Sequence, residues 1–290
     1  MTIRQLILGA IPVRFRFALR YMAIHKRFSL LLWPATFSEK NMLRIGKDRR
    51  NLLRICADKV AMRRYVAQKI GDRFLPKVFC IADDPANINW QELPERFVIK
   101  ASHGSAFVSV VHQFNPAAID RIESMVETCR AWLDVDYGKC NPEWGYTGIP
   151  RRILIEEFIE SNYRGDDDVP WDFKFFVFDG RCAMVQVDTG RFASHRRNLY
   201  STSWQLLEST YGYPPTETPL EKPGNLDELI ELAERVGAGI DFVRVDLYAA
   251  NSGPVVGELT MSPEGGDVHF SNARLDLFLG EQWKMTRFRD

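Results

Sequence analysis

The chain lacks the features that mark several specialised classes. It has no charge excess: Lys plus Arg and Asp plus Glu both number 38 in 290 residues, a formal net charge of zero. A general nucleic-acid binder shows a basic surplus, so no nucleic-acid partner is expected. Cysteine is sparse: Cys56, Cys80, Cys129, Cys140 and Cys182 are odd in number and far apart, with no C-x-x-C pair. That pattern argues against a disulfide framework or a zinc site and for a reducing, cytoplasmic setting. No apolar run approaches the ~18 residues of a membrane-spanning helix. The hydrophobic stretch 6–13 is followed by Arg14, Arg16 and Arg20 without a small-residue cleavage site, so it does not read as a secretory leader. Repeats and low-complexity tracts are missing, and so is the G-x-x-x-x-G-K-[ST] phosphate loop.

What remains is an ordinary globular composition, 46% hydrophobic and 26% charged. A chain of this length buries roughly 75% of its unfolded surface and needs neither disulfides nor a structural metal to fold. The charge is unevenly placed. Residues 1–50 hold 11 basic and 2 acidic side chains, leaving a net −9 for the rest. Basic and apolar residues alternate through Arg14, Phe15, Arg16, Phe17, Leu19, Arg20, Tyr21 and on to Phe28. They suit either a helix packed on the body or an amphipathic helix on the anionic inner face of a membrane.

Beyond this region the periodicity predicts an α+β protein. Asp58 opens a helical pattern that Gly71 closes, and 77–81 and 96–100 read as short strands. Asn115-Pro116 predicts the start of a second helix, with Ile119, Ile122, Met125, Val126 and Cys129 on one face. The segment 134–150 is loop-like, and 153–155 is an apolar strand. Asp179-Gly180 predicts a hairpin over 171–188. Asn225 and Glu228 predict a capping box for a helix closed by Gly237. Strands 241–248 and 254–261 are joined by Asn251-Ser252-Gly253.

Four constellations carry candidate chemistry. In the last hairpin, alternation puts Arg244 and Asp246 on one face, and Glu258 and Thr260 on a face shared with Val256. A turn centred on Ser252 sets Asp246 opposite Glu258, a repulsive pair that calls for a cation. Either Mg²⁺ shared with substrate phosphates or Arg244 supplies it. The second is Phe97-Val98-Ile99-Lys100 before the small-residue loop Ala101-Ser102-His103-Gly104-Ser105-Ala106, which suits an anion or a plain hairpin. The third is Trp171-Asp172-Phe173-Lys174-Phe175, where a buried Lys174 needs an anion, either Asp172 or a bound phosphate. The fourth, Ile153-Leu154-Ile155-Glu156-Glu157-Phe158-Ile159, ends an apolar strand in two glutamates and equally fits a solvated strand end. Arg191, His195, Arg196 and Arg197 form a basic cluster, either a solvated loop or a holder for an anionic group.

In this order the motifs resemble the ATP-grasp superfamily, and more narrowly the teichuronopeptide-biosynthesis (TupA-like) ATP-grasp family. The resemblance also takes in Pro34-Ala35-Thr36-Phe37-Ser38-Glu39-Lys40, Ala57-Asp58-Lys59 and Pro263-Glu264-Gly265-Gly266. It implies an ATP-grasp fold with nucleotide between two α+β lobes: a basic helical region over 1–56, a lobe over 57–155 carrying the phosphate loop, and a lobe over 156–290 carrying the metal site. Lys100 matches a lysine on the ATP phosphates, and Ser102, His103, Gly104 and Ser105 the loop closing over them. Glu156, Glu157 and Ile159 match the hinge that meets adenine, and Lys174 a second phosphate-binding lysine. Asp246 and Glu258 match the Mg²⁺ carboxylates, with Thr260 where many members carry Asn. Arg244 and Arg191, with Lys174, match catalytic cations.

The resemblance further implies a cytoplasmic ATP- and Mg²⁺-dependent carboxylate–amine ligase working through an acyl phosphate. Its partners would be an amino acid or amine and a carboxylate-bearing cell-surface glycan precursor. A sugar kinase, or a non-catalytic nucleotide or glycan module, uses the same motifs. On the sequence alone, Lys100→Ala and Asp246→Asn are each expected to abolish turnover with thermal stability nearly unchanged.

Overall fold

Short β-branched and aromatic runs with period-two burial build two antiparallel sheets, and the helices cover the faces that would otherwise be wet. In the computed structural model, residues 13–26, 29, 31–141, 143–165 and 167–285 are described. Stretch 6–13, apart from the backbone at 13, and Arg27 and Phe28 lie outside them, as do the side chains of Arg14, Phe15 and Arg16.

Among the described residues four helices come first: α1 (Val13–His25), α2 (Phe37–Lys47), α3 (Asn51–Ala57) and α4 (Lys59–Ile70). Two of them start on local signals. Thr36 and Glu39 form a reciprocal capping box on α2, and Asp58 caps α4 by accepting from the Val60 N–H at 2.9 Å. Of the two readings of the basic N-terminal stretch, α1 takes the packed one. Its Tyr21 is buried with Leu31 and Met42, and Arg20 bonds Asp267 at 2.6 Å.

The smaller sheet holds β1 (Val78–Ala82), β2 (Phe97–Ala101), β3 (Val108–Val111) and β4 (Ile153–Glu157), in the order β1-β4-β2-β3. Phe97, Ile99 and Ala101 of β2 are buried in a core shared with Cys129 of helix α5 (Ile119–Asp134). Val98 and Lys100 therefore face away, into the cleft. The helix starts later than Asn115-Pro116 predicts. Asn115 Oδ1 accepts from the Ala117 N–H at 3.0 Å and holds a turn, so α5 begins only at Ile119 with no side-chain cap. The loop-like segment after it contains an α-helical turn, α6 (Tyr137–Cys140), and a 3-10 turn at Trp144–Tyr146.

The larger sheet runs β7-β6-β5-β8-β9, from β5 (Asp172–Phe178), β6 (Arg181–Thr189), β7 (Arg196–Tyr200), β8 (Val243–Ala250) and β9 (Gly253–Thr260). The central strand β5 is buried throughout, and its alternation sorts the protein into layers. Phe173, Phe175 and Val177 pack with Leu229, Ala233 and Val236 of helix α7 (Leu226–Gly237). On the opposite face Phe176 and Phe178 pack on Phe37 of α2 and Trp283, just past helix α8 (Ala273–Gln282). Asp172 and Lys174 continue that face as its polar half. The predicted capping box on α7 does not form: Asn225 makes no side-chain cap bond, and the turn instead closes from the Leu226 N–H to the Pro223 carbonyl at 3.1 Å.

One buried cation ties α2 to the large sheet. Arg44 bonds Asp241 at 2.7 Å and the carbonyls of Phe242 and Met261 at 2.9 and 2.7 Å, with its guanidinium 4.3 Å from the Trp283 ring centroid. Removing it leaves buried Asp241 and Asp48 short of a counter-charge. Arg44→Met is expected to cost about 3–5 kcal/mol in urea unfolding, the usual scale for breaking a buried pair. A loss below ~1 kcal/mol would show that Arg50 alone suffices.

Candidate active site

The site depends on a register. Asp246 does sit opposite Glu258, and Arg244 opposite Thr260, but not through the predicted turn. Ala250 pairs with Gly253, so Asn251-Ser252 alone make the turn, and a bulge between Asp246 and Leu247 on the pairing restores the offset. The bulge changes the parity of β9. Val256 is consequently in the core with Leu259, not on the face of Glu258 and Thr260 as simple alternation predicts. Gly257 occupies the extra position, where a Cβ would lie 2.8 Å from the Tyr248 ring.

The acidic pair is compensated by cations from two strands. Lys174 Nζ lies 2.6 Å from Asp246 Oδ2 and 3.3 Å from Asp172. Arg244 binds both Asp246 oxygens, at 2.7 and 2.8 Å, and donates to Thr260 Oγ1 at 3.0 Å. The chief partner of Lys174 is thus Asp246, which neither sequence reading named. Arg191 bonds Asp172. The basic cluster after the hairpin is not a solvated loop throughout: Arg197 is buried on β7 against Asp188 at 2.7 Å and Glu264 at 2.9 Å, and His195 lies 3.5 Å from Asp188.

Glu258 is different. It lines a cavity of about 450 Å³ with Lys174, Arg191, Arg244 and Thr260, and forms no hydrogen bond or ion pair with a described residue. Burial works to raise its pKa, but Lys59, Arg244, Lys174 and Arg191 outweigh it and hold the carboxyl below its ordinary value. Glu143 shares the cavity and is pushed up to about 7 by burial and by the charge of Glu258.

Across the cleft, Lys100 reaches Glu156 at 2.6 Å, and Arg63 holds the other Glu156 oxygen at 2.6 Å. Glu156 is buried, which overturns the solvated strand end. The loop after Lys100 divides in two. Ser102 donates to the Pro150 carbonyl at 2.8 Å and His103 sits 3.1 Å from the Trp132 carbonyl, so both side chains face the fold. Ser105 and Ala106 line the cavity, and Gly104, whose Cβ would meet Phe107 at 2.7 Å, lends its carbonyl to Lys59 at 2.7 Å. Glu157 has its N–H on the Lys77 carbonyl at 2.9 Å and its carboxylate on the Lys77 N–H. It also lines, with Val98, Val110, Phe158, Ile159 and Tyr248, an apolar slot of about 60 Å³ between the sheets. Arg191 borders both slot and cavity.

The donor set fits one hard cation. Among the described residues no three His, Cys, Asp or Glu converge, but Mg²⁺ takes one or two carboxylates and completes its shell with phosphates and water. Glu258 offers an unpaired carboxylate, with Asp246 and Thr260 beside it. Sequence reasoning gave no role to Lys59, Arg63, Glu143, Asp188 or Arg20, all at or near this cavity. Lys59 did leave a signal: a lysine in the first turn of a helix opposes the macrodipole.

The fold that places these groups is α+β, with two antiparallel sheets bordering one cleft. The model of the TupA-like ATP-grasp family matches residues 39–284, and the chain belongs to that family. Its fold is accordingly ATP-grasp. No curated protein matches the chain. Among solved structures, D-alanine–D-alanine ligase from Bacillus anthracis complexed with ATP is similar at 18% identity, covering 72% of this chain and 56% of its own, TM-score 0.43. A RimK-domain ATP-grasp protein from Sphaerobacter thermophilus is similar at 17% identity, covering 85% and 75%, TM-score 0.45. Phosphoribosylamine–glycine ligase from Thermotoga maritima is similar at 15% identity, covering 76% and 52%, TM-score 0.43. The chain spans little more than half the length of the first structures it matches. Among the described residues, no helix is long and apolar enough to cross a membrane.

Asp246 is too embedded for its neutralisation to leave stability nearly unchanged, as the sequence alone suggests. Asp246→Asn leaves Lys174 and Arg244 buried around an amide, and a loss of about 3–5 kcal/mol is expected in denaturant unfolding. An unchanged midpoint would mean that Asp172 and Glu258 take over both cations.

Proposed function

We propose that the protein is an ATP- and Mg²⁺-dependent carboxylate–amine ligase that modifies a bacterial cell-surface polysaccharide precursor in the cytoplasm, joining an amino acid or peptide to a uronic acid. The observation that carries the reading is the convergence of Lys174, Arg191 and Arg244 on a cavity into which the unpaired Glu258 opens, with Lys59 near enough to act on that carboxylate and Lys100 lining the adjoining slot. An apolar slot adjoins it. That arrangement suits a polyphosphate with a flat apolar base better than it suits a neutral glycan.

In this reading the base enters the slot beside Ile159 and the hinge at Glu156 and Glu157. Lys59, Lys100, Lys174 and the backbone of His103, Gly104 and Ser105 hold the phosphates, the Ser102 N–H being taken by the Arg152 carbonyl at 2.8 Å. Asp246, Glu258 and Thr260 would hold Mg²⁺, which neutralises phosphate charge when bound. A carboxylate oxygen of the glycan precursor attacks the γ-phosphorus and ADP leaves. The amine nitrogen then attacks the acyl carbon, phosphate departs, and nitrogen gives up a proton. Arg191 and Arg244 face the charge that develops along this path. The helical region 1–56 and the lobes 57–155 and 156–290 are the working units we assign, and the basic N-terminal region would meet the membrane's inner face with its charge while α1 stays packed on the body.

ADP release screened over amino acids and uronic acids tests the reading. Release is expected only when both partners are present, with amide formed; phosphate on a hydroxyl instead would make the protein a kinase. Glu258→Gln and Lys100→Ala are each expected to lower turnover at least a hundredfold. Glu258→Gln breaks no bond to a described residue, so its unfolding free energy should stay within about 1 kcal/mol of the parent.

A further inference from the structure

The cavity has a second wall, away from Lys100 and the slot. Arg20 reaches it from α1, and Glu143 enters from the turn after α6. The two meet at Gly265. Arg20 Nη2 donates to the Gly265 carbonyl at 3.2 Å and to Asp267 Oδ2 at 2.6 Å, which fixes the guanidinium while Nε and Nη1 carry no bond to a described residue. Glu143 Oε1 lies 3.5 Å from the position a Cβ on Gly265 would take. Yet Arg20 and Glu143 form no ion pair with each other, and the Glu143 carboxylate has no partner among the described residues. Elsewhere in the cavity Arg191, Arg197 and Arg244 are each tied to an acid.

A fixed cation and an unpaired carboxylate flanking one glycine present both signs to a small ligand. A simple anion would meet repulsion from Glu143, and a simple amine would leave the free edge of Arg20 unmatched. Resting on the ligase reading, we propose that Arg20 and Glu143 form the subsite for a zwitterionic α-amino acid as the amine substrate, its carboxylate on Arg20 and its ammonium toward Glu143. Guanidinium–carboxylate pairing supplies the discrimination, through the cation's charge and a charge-assisted hydrogen bond from the Nε or Nη1 donor left open.

Direct binding tests this without turnover. Calorimetry on the full chain would compare each common L-amino acid with its decarboxylated amine, and a non-hydrolysable ATP analogue would be titrated in parallel. At least one amino acid is expected to bind ten times more tightly than its amine. Arg20→Ala should abolish that preference, Arg20→Lys should restore part of it, and Glu143→Gln should weaken amino acid and amine alike, all with nucleotide affinity within twofold of the parent. No amino acid bound, or a preference unchanged in Arg20→Ala, would overturn the subsite. Nucleotide affinity that Lys100→Ala leaves unchanged would count instead against the phosphate site, whatever the amino acids do.

Discussion

The chemistry rests on one irregularity in a β-ladder. Without the bulge at Gly257, a two-residue turn at Asn251-Ser252 would place Gly257 opposite Asp246 and turn Glu258 into the core. A carboxylate there would face Leu247, Val256 and the apolar side of α7. The extra residue instead lets Val256 and Leu259 fill the core while Glu258 and Thr260 look into the cavity. Gly257 suits this place because the Tyr248 ring already crowds the space a side chain would need.

That register concentrates charge, and the concentration explains why so many cations gather nearby. Asp246 and Glu258 face one another across β8 and β9, and Asp172 and Asp188 do the same across β5 and β6. Like charges in such positions are destabilising. Lys174 sits between the two pairs, Arg244 and Arg191 close either side, and Arg197 takes Asp188. Apart from the exposed Arg191, the members of these ion pairs are buried, so each pair draws its strength from neighbours that stay in place, and losing one member strands the other. A polyanion entering the cavity would offer Lys174 and Lys100 an alternative to Asp246 and Glu156. On the proposed reading the acids would hold the cations in position before a ligand competes for them, a form of preorganisation.

Much of this was legible in the sequence, and the exceptions have physical causes. The Asp179-Gly180 hairpin, the alternation of Asp172 and Lys174 against Phe173 and Phe175, and the Asp58 to Gly71 helix depend on local rules, and each forms where those rules put it. The facing of Asp246 and Glu258 was legible too, but by a shifted turn and a bulge whose errors cancel. The helix start at Asn115 failed because an asparagine can satisfy a turn as readily as a helix N-terminus, whereas the helix after Asn225 begins where expected and lacks only the capping bond. The partner of Lys174 could not be read, since it lies 72 residues away. The side-chain partners of Ser102 and His103 were hidden for a related reason: their bonds go to Pro150 and Trp132, set by tertiary packing.

The residues before the family match deserve the same logic. Segment 13–38 precedes residue 39, yet it is built into the body at three points: Phe37 among the aromatics of the large sheet, Thr36 in the capping box with Glu39, and Arg20 on Asp267 and Gly265. The loop it grips is itself unusual, with Glu264 and Gly265 both at positive φ and Glu264 held by Arg197. A non-glycine residue in that conformation is strained and persists only when its neighbours fix it. Arg20 on one side and Arg197 on the other do so, which couples α1 to the sheet that carries Asp188 and Lys174. The N-terminal helix therefore shapes the cavity wall as well as covering the core, and its basic character has a structural use before any membrane is invoked.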